Sequence, residues 1–407
     1  MGVSKTPLRM AARPPSPLAQ AVGGDLALYV HWPFCVSKCP YCDFNSHVRG
    51  SIDEQTWREA LLADLAHEAR LLPGRKLTSI FFGGGTPSLM SPSTVEALIA
   101  SATAYWQPSA DLEITLEANP NSVEAARFAD LAAAGVNRLS LGLQSFDDHA
   151  LRFLGRAHSA AEGLRALDTA QTHFARVSFD LIYALPGDTE EAWSGILGRA
   201  LALGTTHLSL YQLTIEPGTR FASMVARREF EPLDADRAAT LYELTCATTA
   251  SAGLPPYEIS NHARPGDESR HNLTYWRYGD YAGVGPGAHG RRLGMRTVRH
   301  RKPENFLSAV ARNGQGIVEE QALSPIEAAD EALVMGLRLS EGVDVNALSA
   351  RFHVPVVDWK RVDRLVASGH LTRDEGRIGT TAEGRLLLDS ILGEIAAVEV
   401  SALAAAC

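Results

Sequence analysis

The sequence predicts an α/β protein: a partial barrel of six β/α units, followed by a smaller, mainly helical domain of winged-helix type. From Asp25 onward, short apolar runs alternate with helical patterns, as in β/α units around a parallel sheet. Polar residues fall at the ends of successive runs, where β/α barrels gather their sites. Beyond about Arg301 the alternation stops and helical patterns dominate.

Six runs give the strands of the predicted barrel. They are LALYVHW (26–32), LTSIFF (77–82), LEITLE (112–117), RLSLGL (138–143), VSFDLIYAL (177–185) and HLSLYQL (207–213). Their apolar content is too continuous for a sheet with one face in water, so helices should cover the outside. Between runs, Trp57 and Trp193 begin apolar repeats at helical spacing. An open doubly wound sheet is the alternative, and the positions of the polar residues favour the barrel.

The length and composition predict two domains and an N-terminal tail. We expect a disordered tail over residues 1–24, which carries Pro14, Pro15 and Pro17, a core domain over 25–300 and a C-terminal domain over 301–407. The C-terminal domain should begin with a capping box at 324–327 and contain a hairpin around 374–376. Its basic residues are interleaved with acids, which favours packing or protein contact over DNA binding.

Three of the five cysteines stand in one segment, YVHWPFCVSKCPYCDFNSH (29–47), directly after the first strand. The C-x₃-C-x₂-C spacing of Cys35, Cys39 and Cys42 lets one loop wrap three thiolates around an inorganic core. A [4Fe–4S] cube normally takes four cysteines, so one iron would stay open to an exchangeable ligand. The alternative is a zinc site with His31 or His47 as fourth ligand, but zinc sites usually gather two separated pairs of ligands.

The other cysteines, the lengths of the apolar runs and the net charge together disfavour a disulfide-rich, a membrane-spanning or a nonspecific nucleic-acid-binding protein. Cys246 and Cys407 stand alone, which argues against a disulfide framework and predicts a reducing, cytoplasmic location. No apolar run approaches the roughly 18 residues of a membrane span. The net charge of −9 disfavours nonspecific binding to nucleic acid or anionic lipid.

Polar residues at the strand ends are candidate ligand contacts. Glycines 83–85 follow the second strand and could expose backbone amides to a ligand, or make a tight strand-to-helix turn. Glu117, Gln144 and Asp180 lie in or after otherwise apolar strands. A buried carboxylate needs a cation or hydroxyl partner, which is either a ligand or a neighbouring loop.

A second segment, SRHNLTYWRYGDYAGVGPGAHG (269–290), is dense in aromatic residues and ends in glycines. His271 with Tyr275 and Trp276 would suit a planar apolar ligand. A packed aromatic patch that closes the open side of the barrel is the alternative.

The chain from Leu26 to about Gly393 resembles the oxygen-independent coproporphyrinogen III oxidase family of radical S-adenosylmethionine (SAM) proteins. The resemblance rests on YVHWPFCVSKCPYCDF, FFGGGTPSL, ITLEANP, RLSLGLQSF, LGRAH, DLIYALPG and HNLTYW. It implies that Cys35, Cys39 and Cys42 hold a [4Fe–4S] cluster whose open iron takes SAM. The implied SAM contacts are Tyr29, Tyr41, Gly85, Thr86, Glu117, Gln144, Arg156 and Asp180. We assign no catalytic residue.

One departure separates two branches of that family. The oxidases resemble this loop but carry a further cysteine two residues after the third ligand, where this chain has Phe44. The loop and HNLTYW are similar to the heme-chaperone branch, which implies binding of heme and its delivery to acceptor proteins. His271 is then the candidate iron ligand, with Tyr275 and Trp276 near the macrocycle. Oxidative decarboxylation of coproporphyrinogen III and a cluster- or zinc-stabilised interaction protein are the alternatives, and a homodimer stays open.

Overall fold

A computed structural model describes residues 24–397. The first part of the chain alternates strands and helices as predicted. Its elements are β1 (Asp25–Trp32), β2 (Phe34–Cys35), β3 (His47–Val48), α1 (Glu54–Leu71), β4 (Lys76–Gly84), a 3₁₀ turn (Pro87–Leu89), α2 (Pro92–Tyr105), β5 (Gln107–Ala118), α3 (Ser122–Ala125), α4 (Phe128–Ala133), β6 (Arg138–Gln144), α5 (Asp148–Phe153), α6 (Ala160–His173), β7 (Arg176–Tyr183), α7 (Glu190–Ala202), β8 (His207–Gln212), α8 (Arg220–Ala226) and α9 (Ala235–Ser251).

The second part begins with short strands and ends mainly in helices. Its elements are β9 (Asn261–Ala263), α10 (Arg270–Trp276), β10 (Tyr281–Val284), β11 (His289–Arg292), β12 (Met295–Arg299), α11 (Pro303–Asn313), β13 (Ile317–Ala322), α12 (Pro325–Gly336), β14 (Val343–Asp344), α13 (Val345–Phe352), α14 (Trp359–Ala367), β15 (Leu371–Asp374), β16 (Arg377–Thr380), α15 (Ala382–Leu386) and α16 (Leu388–Ile395).

The six predicted strands form one parallel row, β1-β4-β5-β6-β7-β8, within an eleven-stranded sheet. In β1, Leu26, Leu28 and Val30 are fully buried, and the outer helices cover them as the continuous apolar pattern requires. Trp57 on α1 and Trp193 on α7 are buried in the same core. The predicted barrel-type α/β architecture is therefore confirmed.

The sheet continues beyond the predicted strands at both ends of the row. β9 pairs antiparallel with β8, and β10 pairs parallel with β1 and leads into the antiparallel strands β11, β12 and β13. The glycine-rich stretch 283–290 therefore contains parts of two strands. Gly283 and Gly290 are required there, because a Cβ on Gly283 would overlap the His289 carbonyl oxygen and one on Gly290 would press on the Thr297 hydroxyl.

The C-terminal part packs five helices, α12–α16, around the three-stranded sheet β14-β16-β15. The predicted capping box is present at Ser324 and Glu327, and the predicted hairpin joins β15 to β16. The helices share a core that includes Leu333, Val362 and Ile391. This arrangement agrees with the predicted winged-helix type.

The division into two domains at residue 300 stays a prediction. β13 pairs with β12, so residues 317–322 lie with the large sheet, whereas the second hydrophobic core takes in Leu323 and the helices that follow. The predicted disordered tail lies, except for Gly24, outside the described residues. No described helix is both long and apolar enough to cross a membrane.

Candidate functional site

The cysteine loop is closed at its base by a small parallel sheet. Phe34 pairs with His47, and Cys35 pairs with Val48, while the His47 amide donates to the Pro33 carbonyl at 2.7 Å. Cys35 ends the first of these strands, and the loop that follows it carries Cys39 and Cys42. Each of the three cysteines is partly buried. The short sheet therefore fixes where the loop leaves and rejoins the barrel.

The glycine run after β4 lies directly beneath the cysteine loop. The Gly85 amide donates to the Trp32 carbonyl at 2.7 Å, and a Cβ on Gly85 would lie 2.7 Å from the Phe34 carbonyl oxygen. Gly84 has φ +116°, and its Cβ would meet the His31 ring. These glycines thus admit the loop against the strand, and Gly84 and Gly85 also line the cavity described next.

Asn45 ties the other side of the loop to the antiparallel extension. Its Nδ2 donates to the carbonyls of Pro286 at 2.9 Å and Arg301 at 3.0 Å. The Asn45 carbonyl lies 2.9 Å from Nε2 of the buried His31. The extension that the sequence did not predict therefore supports the cysteine loop.

A cavity of about 690 Å³ opens above the carboxyl ends of the parallel strands. All three cysteines line it. So do seven of the eight residues implied as SAM contacts, which are Tyr41, Gly85, Thr86, Glu117, Gln144, Arg156 and Asp180. Tyr29 is not among the lining residues, and its hydroxyl lies 2.9 Å from Nδ1 of His31 instead. The cysteines and the strand-end polar residues thus share one cavity, as expected for a β/α barrel.

Arg156 connects the cysteine loop to the barrel strands. Its Nη1 donates to Sγ of Cys39 at 3.4 Å, and its Nη2 donates to Oδ1 of Asn119 at 2.6 Å and to the Gly142 carbonyl at 3.0 Å. The buried Nε has no hydrogen-bond partner among residues 24–397. A guanidinium placed here donates to the Cys39 sulfur and can also bind an anionic ligand.

Glu117 and Asp180 line the cavity and have no cationic partner in direct contact among residues 24–397. Within that range, the one hydrogen bond that the Glu117 side chain accepts comes from the Gly84 amide, at 3.2 Å. Burial and then the charge of Asp180 raise the pKa of Glu117 to about 8. Burial likewise raises the pKa of Asp180 to about 6, although Ser209, Arg138 and Ser140 oppose the rise. A cation entering the cavity would relieve both shifts.

Sequence reasoning missed the polar residues that hold Arg156 in place. Asn119 donates through Nδ2 to the Thr86 hydroxyl at 3.0 Å, and its backbone amide donates to the buried carboxylate of Glu124 at 2.8 Å. Asn119 and Glu124 both line the cavity. The only signal was the position of Asn119 two residues after Glu117, at the end of the same strand.

The candidate heme residues lie on α10, away from the cavity lining. Nδ1 of His271 lies 3.1 Å from the Ser79 hydroxyl, and its ring stacks on Phe81 with centroids 4.9 Å apart. Burial lowers the pKa of His271 to about 4, so the imidazole is neutral at physiological pH. Tyr275 and Trp276 contact each other edge to face, with centroids 5.1 Å apart.

The three cysteines are not arranged for a single metal ion. Within the described residues, no three His, Cys, Asp or Glu side chains converge on one ion position. A cubic cluster needs no such convergence, because its cysteines bind different irons. Burial raises the pKa of Cys35 and of Cys42, so metal must displace protons from these thiols. The donor set and its spacing therefore fit a cluster better than zinc.

Comparisons with known proteins identify the family and the fold. A sequence model of the radical SAM superfamily matches residues 29–200, and one of the HemN C-terminal domain matches residues 323–387. The solved structure of coproporphyrinogen III oxidase (HemN) from Escherichia coli, described as a radical SAM enzyme, has a TM-score of 0.77 at 25% identity. The match covers 92% of this chain and 91% of that one.

Two curated relatives match over nearly the whole chain. Radical S-adenosyl methionine domain-containing protein 1, mitochondrial, of Mus musculus is 41% identical over 395 residues, covering 93% of this chain and 89% of that protein. Heme chaperone HemW of Escherichia coli K12 is 39% identical over 376 residues, covering 90% of this chain and 97% of that protein. The chain therefore belongs to the radical SAM superfamily and, within it, to the HemW-type proteins.

Proposed function

We propose that this protein is a heme chaperone on a radical SAM scaffold, which binds a [4Fe–4S] cluster, SAM and heme and delivers heme to acceptor proteins. The observation that carries the proposal is the cysteine loop: it resembles the chaperone branch and has Phe44, 61% exposed, where the oxidases have a further cysteine. The near full-length similarity to heme chaperone HemW supports it.

In this proposal Cys35, Cys39 and Cys42 hold the cluster. When bound, the cluster supplies one iron without a cysteine ligand, which can coordinate SAM. Arg156 stabilises the thiolate of Cys39 through its N–H donor at 3.4 Å. The small sheet at the base and Asn45 hold the loop in place before metal binds.

Anaerobic reconstitution of cysteine variants tests the cluster. We expect Cys39→Ala to lose the cluster's iron and sulfide, because one of three thiolates is gone. Cys246→Ala is the matched control, since Cys246 lies on α9 outside the cavity lining. Unchanged iron in Cys39→Ala, or zinc in place of iron, would refute the cluster.

The SAM contacts that we propose are the cavity residues Tyr41, Gly85, Thr86, Glu117, Gln144, Arg156 and Asp180, together with Tyr29. Arg156 can hold the SAM carboxylate, and Glu117 or Asp180 can accept from ribose hydroxyls or face the sulfonium. Tyr29 would act indirectly, through His31 beneath the loop. If saturating SAM leaves the electron paramagnetic resonance spectrum of the reduced cluster unchanged, these contacts are wrong.

For heme we propose His271 as the iron ligand, with Tyr275 and Trp276 beside the macrocycle. A neutral imidazole is a common axial ligand. Nδ1 of His271 lies 3.1 Å from the Ser79 hydroxyl, so Nε2 is the nitrogen that would bind the iron. The ring packing of His271 on Phe81 means that α10 or its neighbours must shift to admit the ligand.

A spectroscopic heme titration tests this assignment. We expect His271→Ala to change the position of the Soret band and weaken binding. His262→Ala is a control, because His262 is also buried and bonded to a hydroxyl, that of Thr249 at 2.8 Å, but lies on the short strand β9. A Soret band that His271→Ala leaves unchanged removes His271 as ligand, and no saturable binding in the wild type removes the chaperone proposal.

Oxidation of coproporphyrinogen III is the second candidate function, because the HemN structure covers 92% of this chain at a TM-score of 0.77. Phe44 argues against it. We expect no protoporphyrinogen IX from cluster-loaded protein with SAM and a reductant. Turnover well above a cluster-free control would favour the oxidase.

We further propose a cytoplasmic location and protein rather than nucleic-acid partners. The net charge of −9 supports the second point. The mouse relative carries the word mitochondrial in its name, so fractionation of the source cells is the direct test of the first.

A further inference from the structure

Arg338 brings a positive charge from the C-terminal part of the chain to the cavity. It directly follows Leu337, the residue that caps α12, and its side chain lines the cavity that also holds the three cysteines. Its guanidinium carbon lies 4.7 Å above the ring centroid of Trp276. A cation stacked on an aromatic face is held in a defined orientation.

The guanidinium of Arg338 has donors to spare. Its closest acidic neighbour is Glu258, whose Oε2 lies 4.0 Å from Nη2, beyond hydrogen-bond distance. The other Glu258 oxygen accepts from the Ser260 amide at 2.8 Å and from Nδ2 of Asn261 at 2.6 Å. Nε of Arg338 is buried without a partner in the range 24–397. The five N–H donors of the Arg338 guanidinium therefore face one carboxylate, which is too distant for a hydrogen bond.

Arg156 also lines the cavity, but unlike Arg338 its guanidinium is held by several hydrogen bonds. It donates to Cys39, Asn119 and the Gly142 carbonyl, so three of its four terminal N–H donors are used and one on Nη1 is left for the proposed SAM carboxylate. Arg338, whose side chain is 32% exposed, keeps contact with solvent in the cavity. Arg338 therefore has more donors free for a second anionic partner than Arg156 has.

Other residues of the cavity lining suit an amphipathic ligand. Tyr211 lines the same cavity as Arg338 and is 41% exposed. Ile259 and Ser260 also line the cavity, and the Ser260 carbonyl accepts from the Leu210 amide of β8 at 2.8 Å. Aromatic and aliphatic surface thus lies beside a cation with free donors.

We propose that Arg338, which lines the cavity and stacks on Trp276, binds a carboxylate of the ligand that lies beside Trp276. The inference rests on the proposed function in taking that ligand to be a heme, whose two propionates are carboxylates on an otherwise apolar ring. A guanidinium can donate two parallel N–H hydrogen bonds to a carboxylate. Stacking on Trp276 holds the Arg338 guanidinium in a defined orientation for these bonds. The C-terminal domain then forms part of the binding site through this residue.

Heme and heme dimethyl ester, titrated in parallel, test the proposal on the full-length protein. The ester has the same ring but no carboxylates. We expect Arg338→Gln to raise the Kd for heme about tenfold or more, since a charge-assisted hydrogen bond is lost, and to leave the Kd for the ester within about twofold. Arg338→Lys keeps the charge without the fork, so its effect on heme should be smaller.

Arg277→Gln is the matched control. Arg277 also joins the two parts of the chain, through bonds of 2.8 and 2.7 Å to Glu341, but it does not line the cavity. We expect its Kd values to equal those of the wild type. SAM binding should be unchanged in all three variants, because Arg156 is the proposed partner of the SAM carboxylate.

Four outcomes would overturn the proposal. An unchanged heme Kd in Arg338→Gln, or equal losses for heme and its ester in both Arg338 variants, leaves Arg338 with a packing role. Loss of SAM binding with heme binding intact means that Arg338 serves SAM. If the wild type binds heme nowhere, the proposed function fails and this inference fails with it, whereas the first three outcomes leave the proposed function standing.

Discussion

Two regions of the molecule bury carboxylates and arginines, and they treat the charges in opposite ways. The first is the ion network of Asp64, Glu68, Arg292 and Arg299, between α1 and the antiparallel strands β11 and β12. The second is the cavity carboxylate pair, Glu117 and Asp180. In the network each acid has an arginine in contact, whereas neither cavity acid does. The network is complete without a ligand, and the cavity pair is not.

The distances in the ion network show how complete it is. Nε of Arg299 lies 2.7 Å from Asp64 and its Nη2 lies 2.8 Å from Glu68. Asp64 also accepts from the amides of Gly285 and Gly316, each at 3.0 Å. Burial would raise the pKa of Glu68, but Arg299 and Arg292 outweigh it and the pKa lies below its ordinary value.

The two regions show how a buried acid that stabilises the fold differs from one that awaits a ligand. A buried acid with a lowered pKa and full hydrogen bonding stabilises the fold, while a buried acid with a raised pKa and no cation marks a place for a ligand. Glu68 belongs to the first class, and Glu117 and Asp180 belong to the second. Substitutions in the two regions should therefore change stability in opposite directions.

The largest effect is expected from Arg299→Ala. The variant leaves two buried carboxylates without their shared cation, so we expect the free energy of unfolding to fall by about 3–5 kcal/mol in urea denaturation. Arg296→Ala is the matched control on the same strand. Arg296 is 35% exposed and lies 3.9 Å from Glu331, so its loss should be about 1 kcal/mol or less. Equal losses in the two variants would break the comparison.

The ion network also shows what the sequence could not predict. Asp64 and Arg299 are 235 residues apart in the sequence. The sequence around each of them is equally compatible with a charged side chain exposed to solvent. The strands that carry the arginines, β11 and β12, are four and five residues long and rich in arginine and glycine. Periodicity and β-propensity cannot identify such strands, because pairing with β10 and β13 determines them.

The barrel and the cysteine loop were predictable for a different reason. The six parallel strands are buried on both faces, so each has a nearly continuous apolar sequence, and that composition alone predicts a strand. The cysteines, Arg156 and the strand-end acids stand in motifs that resemble one family, and the cavity unites them. Arg338 and Asn119 were not predicted, because their importance depends on contacts with distant residues, Trp276 and Arg156 respectively.

The second prediction concerns the cavity pair. Glu117→Gln should raise stability by about 2–3 kcal/mol at pH 8.5. The rise in the pKa of Glu117 alone corresponds to about 4–5 kcal/mol, and the buried amide N–H groups of glutamine offset about 2 kcal/mol of it. The pKa of Glu117 rises from 4.5 to about 8 on folding. The wild type therefore loses stability as the pH rises between these values, and the variant does not. Urea denaturation at pH 5 and pH 8.5 measures the difference.

The same variant should lose SAM affinity while it gains stability. An ionised Glu117 attracts the sulfonium cation, and glutamine cannot. In the wild type, SAM affinity should rise with pH up to about 8, as Glu117 gives up its proton. Calorimetric titrations at pH 6.5 and 8.5 check this, and a Glu117→Gln variant that binds SAM normally, or is less stable than the wild type at pH 8.5, would place Glu117 in the structural class.

The smallest effect is expected from Asp180→Asn, at about 1 kcal/mol of added stability at neutral pH. The rise in the pKa of Asp180 alone corresponds to about 3 kcal/mol, and the buried amide N–H groups of asparagine offset about 2 kcal/mol of it. The pKa of Asp180 rises only from 3.8 to about 6 on folding, because Ser209, Arg138 and Ser140 favour its charged form. The wild type therefore loses stability as the pH rises from 3.8 to about 6, and the loss stays constant at higher pH.

Asp180 is also the second cause of the raised pKa of Glu117. Removing its charge should lower that pKa, and with it the pH at which SAM affinity levels off. An Asp180→Asn variant whose SAM affinity levels off at the same pH as the wild type would show that the two carboxylates titrate independently.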